Sequence, residues 1–246
     1  MSSSSSRAVA AQTQMELTLT MRRGENVLVT VIIPVVLLVF FASLNVIPSG
    51  TSSGLDYLVP GILALAIIST GMVNLGIATA YERYYGVLKR LGGSPLPQWG
   101  LLVAKALAVL ALEVFQIVLL YAVAHFGYGW QPHVQAPLAL AAIILGTIAF
   151  CALGLAMAGG LRAEATLAIA NGLYLLFLLL GDIVLPLDHL PALLRPVASV
   201  LPATALSETL RAAFVPGATT SSSSLLALLA WAVVASVLAI RAFRWE

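Results

Sequence analysis

Charge is what this sequence has least of, and its scarcity restricts the class of protein. Asp, Glu, Lys and Arg make up 9% of the 246 residues, whereas a soluble domain carries roughly 25%. The few charges are clustered, and they leave uncharged stretches at 26–55, 57–81 and 114–161. The mean hydropathy is +1.02. We therefore expect an integral membrane protein without a soluble segment long enough to be a catalytic domain by itself.

Residues that build metal and catalytic sites are also scarce. The single cysteine, Cys151, excludes a disulfide framework and a thiolate metal cluster. His125 and His133 share a loop but have neither helical spacing nor a nearby carboxylate to orient them. The lysines Lys89 and Lys105 follow Leu and Ala rather than the Gly of a phosphate-binding loop. We predict no catalytic residue, no metal site and no cofactor bound by this chain, and the net charge of +2 suggests no nucleic-acid partner.

The apolar stretches have the length of membrane helices, which need about 20 apolar residues. They predict an all-α integral membrane protein with six transmembrane helices at 27–44, 58–80, 99–124, 137–159, 166–185 and 225–240. Residues 1–26 form a cytoplasmic N-terminal segment, and 27–246 form one six-span domain. Gly146, Gly154 and Ala158 give the fourth span a face suited to close helix packing.

The distribution of Lys and Arg predicts the orientation, because cytoplasmic loops retain these residues. Ten of the twelve lie on the side that carries both termini, counting Lys105 as snorkelling to that side, and only Arg195 and Arg211 lie on the other. Both termini are therefore predicted to be cytoplasmic. Within the N-terminal segment, Met1–Ser6 is predicted to be disordered. Residues 9–26 are a weak candidate for an interfacial helix, because their apolar residues alternate with period 2 rather than 3.6.

The cytoplasmic segment 81–97 combines charges and aromatic residues in a short helical stretch that stops at Gly92, Gly93 and Pro95. Val87, Leu88 and Leu91 would form its apolar face, and such a stretch can dock on a soluble partner. An ordinary positively charged loop is the alternative. The candidate docking residues are Glu82, Arg83, Gly86, Leu88, Lys89, Arg90, Leu91 and Pro95.

The outer segment 182–214 is too apolar for a solvated loop and too rich in proline for a span. Its prolines cut it into short helices, and Leu206, Leu210 and Phe214 would share one face of the last helix. We predict a re-entrant or interfacial helical hairpin before the last span. Its candidate functional residues are Pro186, Pro191, Pro202, Thr204, Glu208 and Arg211.

Polar residues inside spans are costly and are therefore functional candidates. Glu113 lies near the middle of the third span, with Gln116 one turn further on. Together with Asn74 and Asn171 they form a candidate translocation surface. The alternative is a structural, protonated Glu113 that is hydrogen-bonded to Asn74 or Asn171.

Four motifs in order resemble one family across essentially the whole chain. The pattern Glu82-x-x-x-Gly86-x-x-x-x-Leu91-x-x-x-Pro95 resembles the cytoplasmic signature of ABC-2 type permeases, most closely the daunorubicin-resistance branch. Val87 departs from it, since the family usually has a Thr there. The other motifs are Asp56-Tyr-Leu-Val-Pro-Gly-Ile62, Pro186-Leu-x-x-Leu-Pro191, and Leu201-Pro-x-Thr204 with Glu208-x-x-Arg211.

The resemblance implies the membrane subunit of a bacterial exporter in the cytoplasmic (inner) membrane. ATP and magnesium would be bound by a separate cytoplasmic ABC ATPase that pushes on the segment from Glu82 to Pro95. A second permease subunit and membrane lipids are the other implied partners, and the cargo would be amphipathic, drug-like or lipid-like. The alternatives are a proton-coupled secondary carrier that uses Glu113, and a membrane assembly factor that transports nothing.

Overall fold

The computed structural model describes residues 3–22, 24–44, 54–93, 97–215 and 222–242. Every regular element within these ranges is a helix. The α-helices are α1 Ser3–Arg22, α2 Gly24–Leu44, α3 Gly54–Ile68, α4 Leu75–Tyr84, α5 Val87–Gly92, α6 Gln98–Ala122, α7 Ala136–Gly160, α8 Ala163–Leu180, α9 Arg195–Val200, α10 Pro202–Phe214 and α11 Ser222–Ala242. Two π-helical turns, Ser69–Asn74 and Val123–Gly127, and a 3₁₀ turn, Leu187–His189, complete the set.

Five helices in the described residues are long and apolar enough to cross a membrane, which confirms the all-helical membrane fold. The first predicted span falls on α2, whose apolar part, Thr30–Leu44, is shorter than these five. The count of six therefore stays a prediction. The five candidate spans are Gly54–Tyr84, Trp99–Gly127, Ala136–Gly160, Ala163–Leu180 and Ser223–Ala242.

The fifth span was predicted to extend over 166–185, but its helix, α8, ends at Leu180. The Gly181 amide still donates to Phe177 O (2.8 Å), but Asp182 has a positive φ of 55°, which a helix cannot contain. The chain therefore turns at Asp182 and leaves the helix axis.

The centre of the bundle is the continuous helix Gly54–Tyr84, in which a π-helical turn, Ser69–Asn74, joins α3 to α4. In its most apolar stretch of 18 residues, 83% is buried inside the protein, whereas only 22% of the corresponding stretch of α8 is buried. The helices α2, α7 and α10 pack around it. Because the central helix is covered on most sides, its apolar residues need no periodicity, which fits its uniformly apolar sequence.

Helix α7 approaches this central helix closely at Gly154, as its small-residue face predicted. A Cβ on Gly154 would lie 2.7 Å from the carbonyl oxygen of Met72 and 2.9 Å from that of Gly71. Both atoms belong to the backbone of the π-helical turn, so no side chain can move aside. A glycine at this position is therefore a requirement of helix packing.

Helix α1 corrects one expectation and supports another. Residues 3–22 are helical, so the disorder predicted for the first six residues is wrong for residues 3–6. The weak prediction of a helix over 9–26 is confirmed as far as Arg22, although its apolar pattern has period 2. Helix α1 packs along α6, where Val9 joins Leu88, Leu101 and Ala104 in one buried cluster. Tertiary contacts of this kind stabilise a helix whose own amphipathic pattern is weak.

We predict that Gly154→Ala destabilises the protein and that Gly160→Ala does not. The new methyl group would overlap a backbone carbonyl, and overpacking of this kind costs roughly 1–3 kcal/mol. Gly160 lies in the same helix with nothing within 4 Å of its Cβ position, and it is the matched control. Thermal unfolding in mild detergent measures the difference. Equal melting temperatures for the two variants would contradict the close approach.

Candidate coupling and translocation site

A buried ion cluster joins three helices near the end of the bundle that carries Gly86. Lys105, on α6, is 1% exposed, and its ammonium lies 2.6 Å from Glu82 Oε2 of α4 and 3.1 Å from Glu16 Oε2 of α1. Gln12 donates to the other oxygen of Glu16 at 2.8 Å. We call Glu16, Lys105 and Glu82 the ion triad. A buried ammonium requires such partners, because its desolvation costs several kcal/mol.

The ion triad changes the interpretation of two sequence predictions. Lys105 was expected to snorkel to the membrane surface, but its side chain is enclosed by protein. Glu82 was predicted to be a docking residue, but it is 8% exposed and faces Lys105. Glu16 was missed altogether, and the only signal for it was an acidic residue within a weakly amphipathic segment.

Arg83, which follows Glu82, forms a second set of contacts that attaches this segment to the bundle. Its guanidinium donates to the carbonyl oxygens of Gly159 and Leu161, at the turn between α7 and α8. Carbonyls at the C-terminal end of a helix lack partners inside the helix, and an arginine satisfies them well. Of the candidate docking residues, Glu82 and Arg83 therefore hold the segment onto the bundle.

The chain then turns at Gly86 and presents a short exposed ridge. Gly86 has a φ of 70°, a conformation that favours glycine, and it separates α4 from α5. Leu88 is buried in the cluster with Val9, and Leu91 is half-buried. Lys89 and Arg90 are exposed, as are Tyr84 and Tyr85 at 65% and 67%.

Sequence reasoning missed the two tyrosines as surface residues, and Pro95 lies outside the described residues. We call Tyr84, Tyr85, Val87, Lys89 and Arg90 the Gly86 ridge.

A groove of about 620 Å³ opens next to this ridge, between α2, the π-helical turn, α4 and α8. Two members of the predicted translocation surface, Asn74 and Asn171, lie in its lining. The lining also contains Ser69, Tyr81, Glu82 and Tyr174. Glu82 therefore belongs both to the ion triad and to the groove wall.

The other two members of that predicted surface, Glu113 and Gln116, lie inside the protein. Glu113 is fully buried, and the Thr147 hydroxyl of α7 donates to its Oε2, so its partner is neither Asn74 nor Asn171. Its Oε1 has no hydrogen-bond partner in the described part of the chain. Gln116 accepts from the Thr70 hydroxyl at 2.8 Å and donates to Thr30 O at 3.0 Å. The structure thus separates these two residues from the two asparagines.

At the opposite end of the bundle, Arg211 of α10 makes a dense set of contacts. Its guanidinium donates to the carboxylate and the carbonyl of Asp182 and lies 3.7 Å from the centre of the Tyr57 ring. The Tyr57 hydroxyl donates to Asp182 Oδ1 at 2.8 Å. Asp182 Oδ1 also accepts from the Leu187 amide at 3.1 Å. This cluster fixes the turn after α8 against both α10 and the start of α3.

The segment between α8 and α11 folds back along the bundle. The indole of Trp231 donates to Val200 O at 2.9 Å, and Trp231 lies about nine residues into α11. Leu206, Leu210 and Phe214 are buried, as their spacing predicted. The segment therefore packs against α11, and the re-entrant hairpin stays a prediction.

The remaining predicted residues of the hairpin make local contacts. Pro186 and Pro191 accept hydrogen bonds from the amides of His189 and Leu194, both at 2.9 Å. Pro202 begins α10. The Thr204 hydroxyl donates to Ala198 O at 2.6 Å, and Glu208 accepts from the Ser224 hydroxyl. These five residues therefore make contacts within the segment, and Glu208 attaches it to α11.

We predict that Lys105→Met strongly destabilises the protein, whereas Lys89→Met does not. Removing the cation leaves two buried carboxylates without their ammonium partner, and breaking a buried pair in this way costs roughly 3–5 kcal/mol. Lys89, the only other lysine, is exposed and serves as the matched control. Thermal unfolding in detergent tests this, and Glu16→Gln with Glu82→Gln should recover part of the loss. An unchanged melting temperature for Lys105→Met would rule out a stabilising ion triad.

Comparison with known proteins places this architecture in a family. Residues 7–215 match the family model for the ABC-2 type transporter, so the matched region runs from α1 to the end of α10. It includes the ion triad, the Gly86 ridge and Arg211. A search of curated proteins finds no match. With a model that covers most of its length and several helices able to span a membrane, the chain belongs to the ABC-2 type transporter family as a multi-pass transmembrane permease.

Proposed function

We propose that the chain is the permease subunit of an ATP-driven exporter. It would move an amphipathic, drug-like or lipid-like substrate out of the cytoplasm or the inner leaflet of a bacterial inner membrane. A separate cytoplasmic ABC ATPase would bind ATP and magnesium and hydrolyse the ATP. Both termini and the Gly86 ridge would then face the cytoplasm, as the distribution of Lys and Arg favours.

The proposal rests mainly on the exposed Gly86 ridge, which is attached to the rest of the bundle by several buried contacts. The Gly86 ridge presents two tyrosines, a lysine and an arginine to the surroundings, and aromatic residues and arginine are typical of the centres of protein interfaces. Behind it, Leu88 packs against α1 and α6, Glu82 pairs with Lys105, and Arg83 binds the turn after α7. A force applied to the ridge would therefore reach α1, α6 and α7 together.

The groove supports the translocation part of the proposal. It begins beside the ridge and runs along the π-helical turn in the middle of the central helix. Open on one side of a single chain, such a groove would be closed by a second permease subunit. Substrate would then cross between the two subunits, as we expect from the family.

The proton-coupled alternative receives less support from the geometry. A proton carrier needs a carboxyl group that alternates between two aqueous sides, but Glu113 is fully buried between α6 and α7 and does not line the groove. Its bond to Thr147 connects two packed helices. Glu113 therefore fits a structural role better than a transport role.

We predict that reversing the charges of the ridge releases the ATPase. A tagged chain purified from native membranes in mild detergent should retain a stoichiometric ABC ATPase, identified by mass spectrometry. The variant Lys89→Glu/Arg90→Glu should lower the retained ATPase by about tenfold, because the reversed charges would repel a partner surface that complements Lys89 and Arg90. Both side chains are exposed, so the bundle should stay folded.

Arg241→Glu is the matched control, since Arg241 is exposed at the end of α11, a helix that contributes no residue to the ridge. It should retain the ATPase. If no ABC ATPase accompanies the unaltered chain under conditions that preserve other membrane complexes, the proposed function is wrong. If the double variant and the control retain equal amounts, the ATPase docks elsewhere.

A further inference from the structure

Several side chains that line the groove have hydrogen-bonding groups without a partner among the described residues. Within the described residues, the side chains of Ser69 and Asn74 form no hydrogen bond, and the Tyr174 hydroxyl is buried without a partner. The Asn171 amide nitrogen donates to Leu167 O at 2.8 Å, which leaves its amide oxygen available. Unsatisfied polar groups are costly in a membrane, and a bound ligand that pairs with them would remove this cost.

The charge of the groove is the second observation. Of the described residues that line it, Glu82 is the only one with a charged side chain, and no lysine or arginine is among them. The Glu82 carboxylate is paired with the Lys105 ammonium at 2.6 Å. An anionic head group would therefore lose its hydration without gaining a cationic partner, and a cationic head group would find a carboxylate that is already neutralised.

Apart from Thr30, the remaining walls of the groove are apolar or aromatic. They come from α2, the central helix and the start of α5, and Ile33, Val73, Ile77 and Tyr85 are among them. A volume of about 620 Å³ is within the range of about 300–1,000 Å³ that is typical of small-molecule sites. The groove thus has room for an apolar body next to its polar side chains.

From these observations we infer that the groove selects substrates with an uncharged, hydrogen-bonding head group and an apolar tail. Ser69, Asn74 and Asn171 would bind the head group through hydroxyl or amide contacts, and Tyr174 would add a fourth contact. This inference rests on the proposed function, because it names the substrate class of the permease. It excludes phosphate-bearing and quaternary ammonium amphiphiles as preferred substrates.

Photolabelling of the full chain in lipid nanodiscs tests the inference without requiring the ATPase. Three probes share one alkyl-diazirine tail and differ only in the head group, which is a glucoside, a phosphate or a trimethylammonium. Mass spectrometry compares labelling of 69–81 and 171–174 with labelling of the exposed apolar face of α11, which serves as the internal reference. The glucoside should label the groove about tenfold more strongly, relative to α11, than either charged probe.

Variants then connect the preference to the groove. Asn171→Leu, at an exposed helix position, should lower the glucoside labelling several-fold, and Asn74→Leu/Asn171→Leu should lower it to the α11 reference. Gln135→Leu, an exposed position outside the groove, should leave it unchanged.

Three results would overturn the inference. Preferential labelling by the phosphate or the ammonium probe would assign the opposite substrate class. Equal labelling by all three probes would make the groove an unselective lipid-facing surface. Glucoside labelling that Asn171→Leu leaves intact would mean that the predicted contacts do not form. Co-purification of the ATPase is measured separately, so these results bear on the substrate class and leave the permease assignment to its own test.

Discussion

A lysine ammonium enclosed by apolar helices is tolerated only where carboxylates reach it, and this requirement organises one end of the molecule. Lys105 has to bring Glu82 and Glu16 to within hydrogen-bonding distance, and those residues belong to the central helix and to the N-terminal helix. Because Glu82 lies one turn before Gly86, the ion triad also fixes where the chain leaves the central helix. The N-terminal helix, whose own sequence barely favours a helix, is held by the same pairing and by the apolar cluster around Leu88.

Under the proposed function, this arrangement divides the cytoplasmic signature into two layers. Glu82, Arg83 and Leu88 face inward and connect the segment to α6, α7 and α1. The outward layer is exposed and can contact a partner; it consists of Tyr84, Tyr85, Lys89 and Arg90. Without the inward contacts, a partner that displaces the ridge would move only the short helix α5. With them, a displacement of the ridge is transmitted to α1, α6 and α7, and an alternating-access transporter requires such a joint movement of spans.

Composition was sufficient to predict the all-helical membrane class, and the small residues of the fourth span predicted the close approach at Gly154. Local patterns were not sufficient for the ion triad, because Lys105 and Glu16 are separated by 89 positions and nothing near either residue indicates the other. For the same reason Glu113 was identified as an unusual intramembrane residue, but its partner Thr147 was not. Pairing across helices depends on how each helix is rotated, and a single sequence does not contain that information in readable form.

The π-helical turn at Ser69–Asn74 links helix packing to the groove. Its extra residue per turn shifts the direction of the side chains that follow, and π-turns often occur at functional sites for this reason. On one side, the carbonyls of Gly71 and Met72 lie against Gly154 of α7. On another, Ser69, Val73 and Asn74 line the groove. Because one turn serves both contacts, a larger residue at Gly154 would displace the groove lining as well as α7. The packing of α7 therefore helps to determine which polar side chains line the groove.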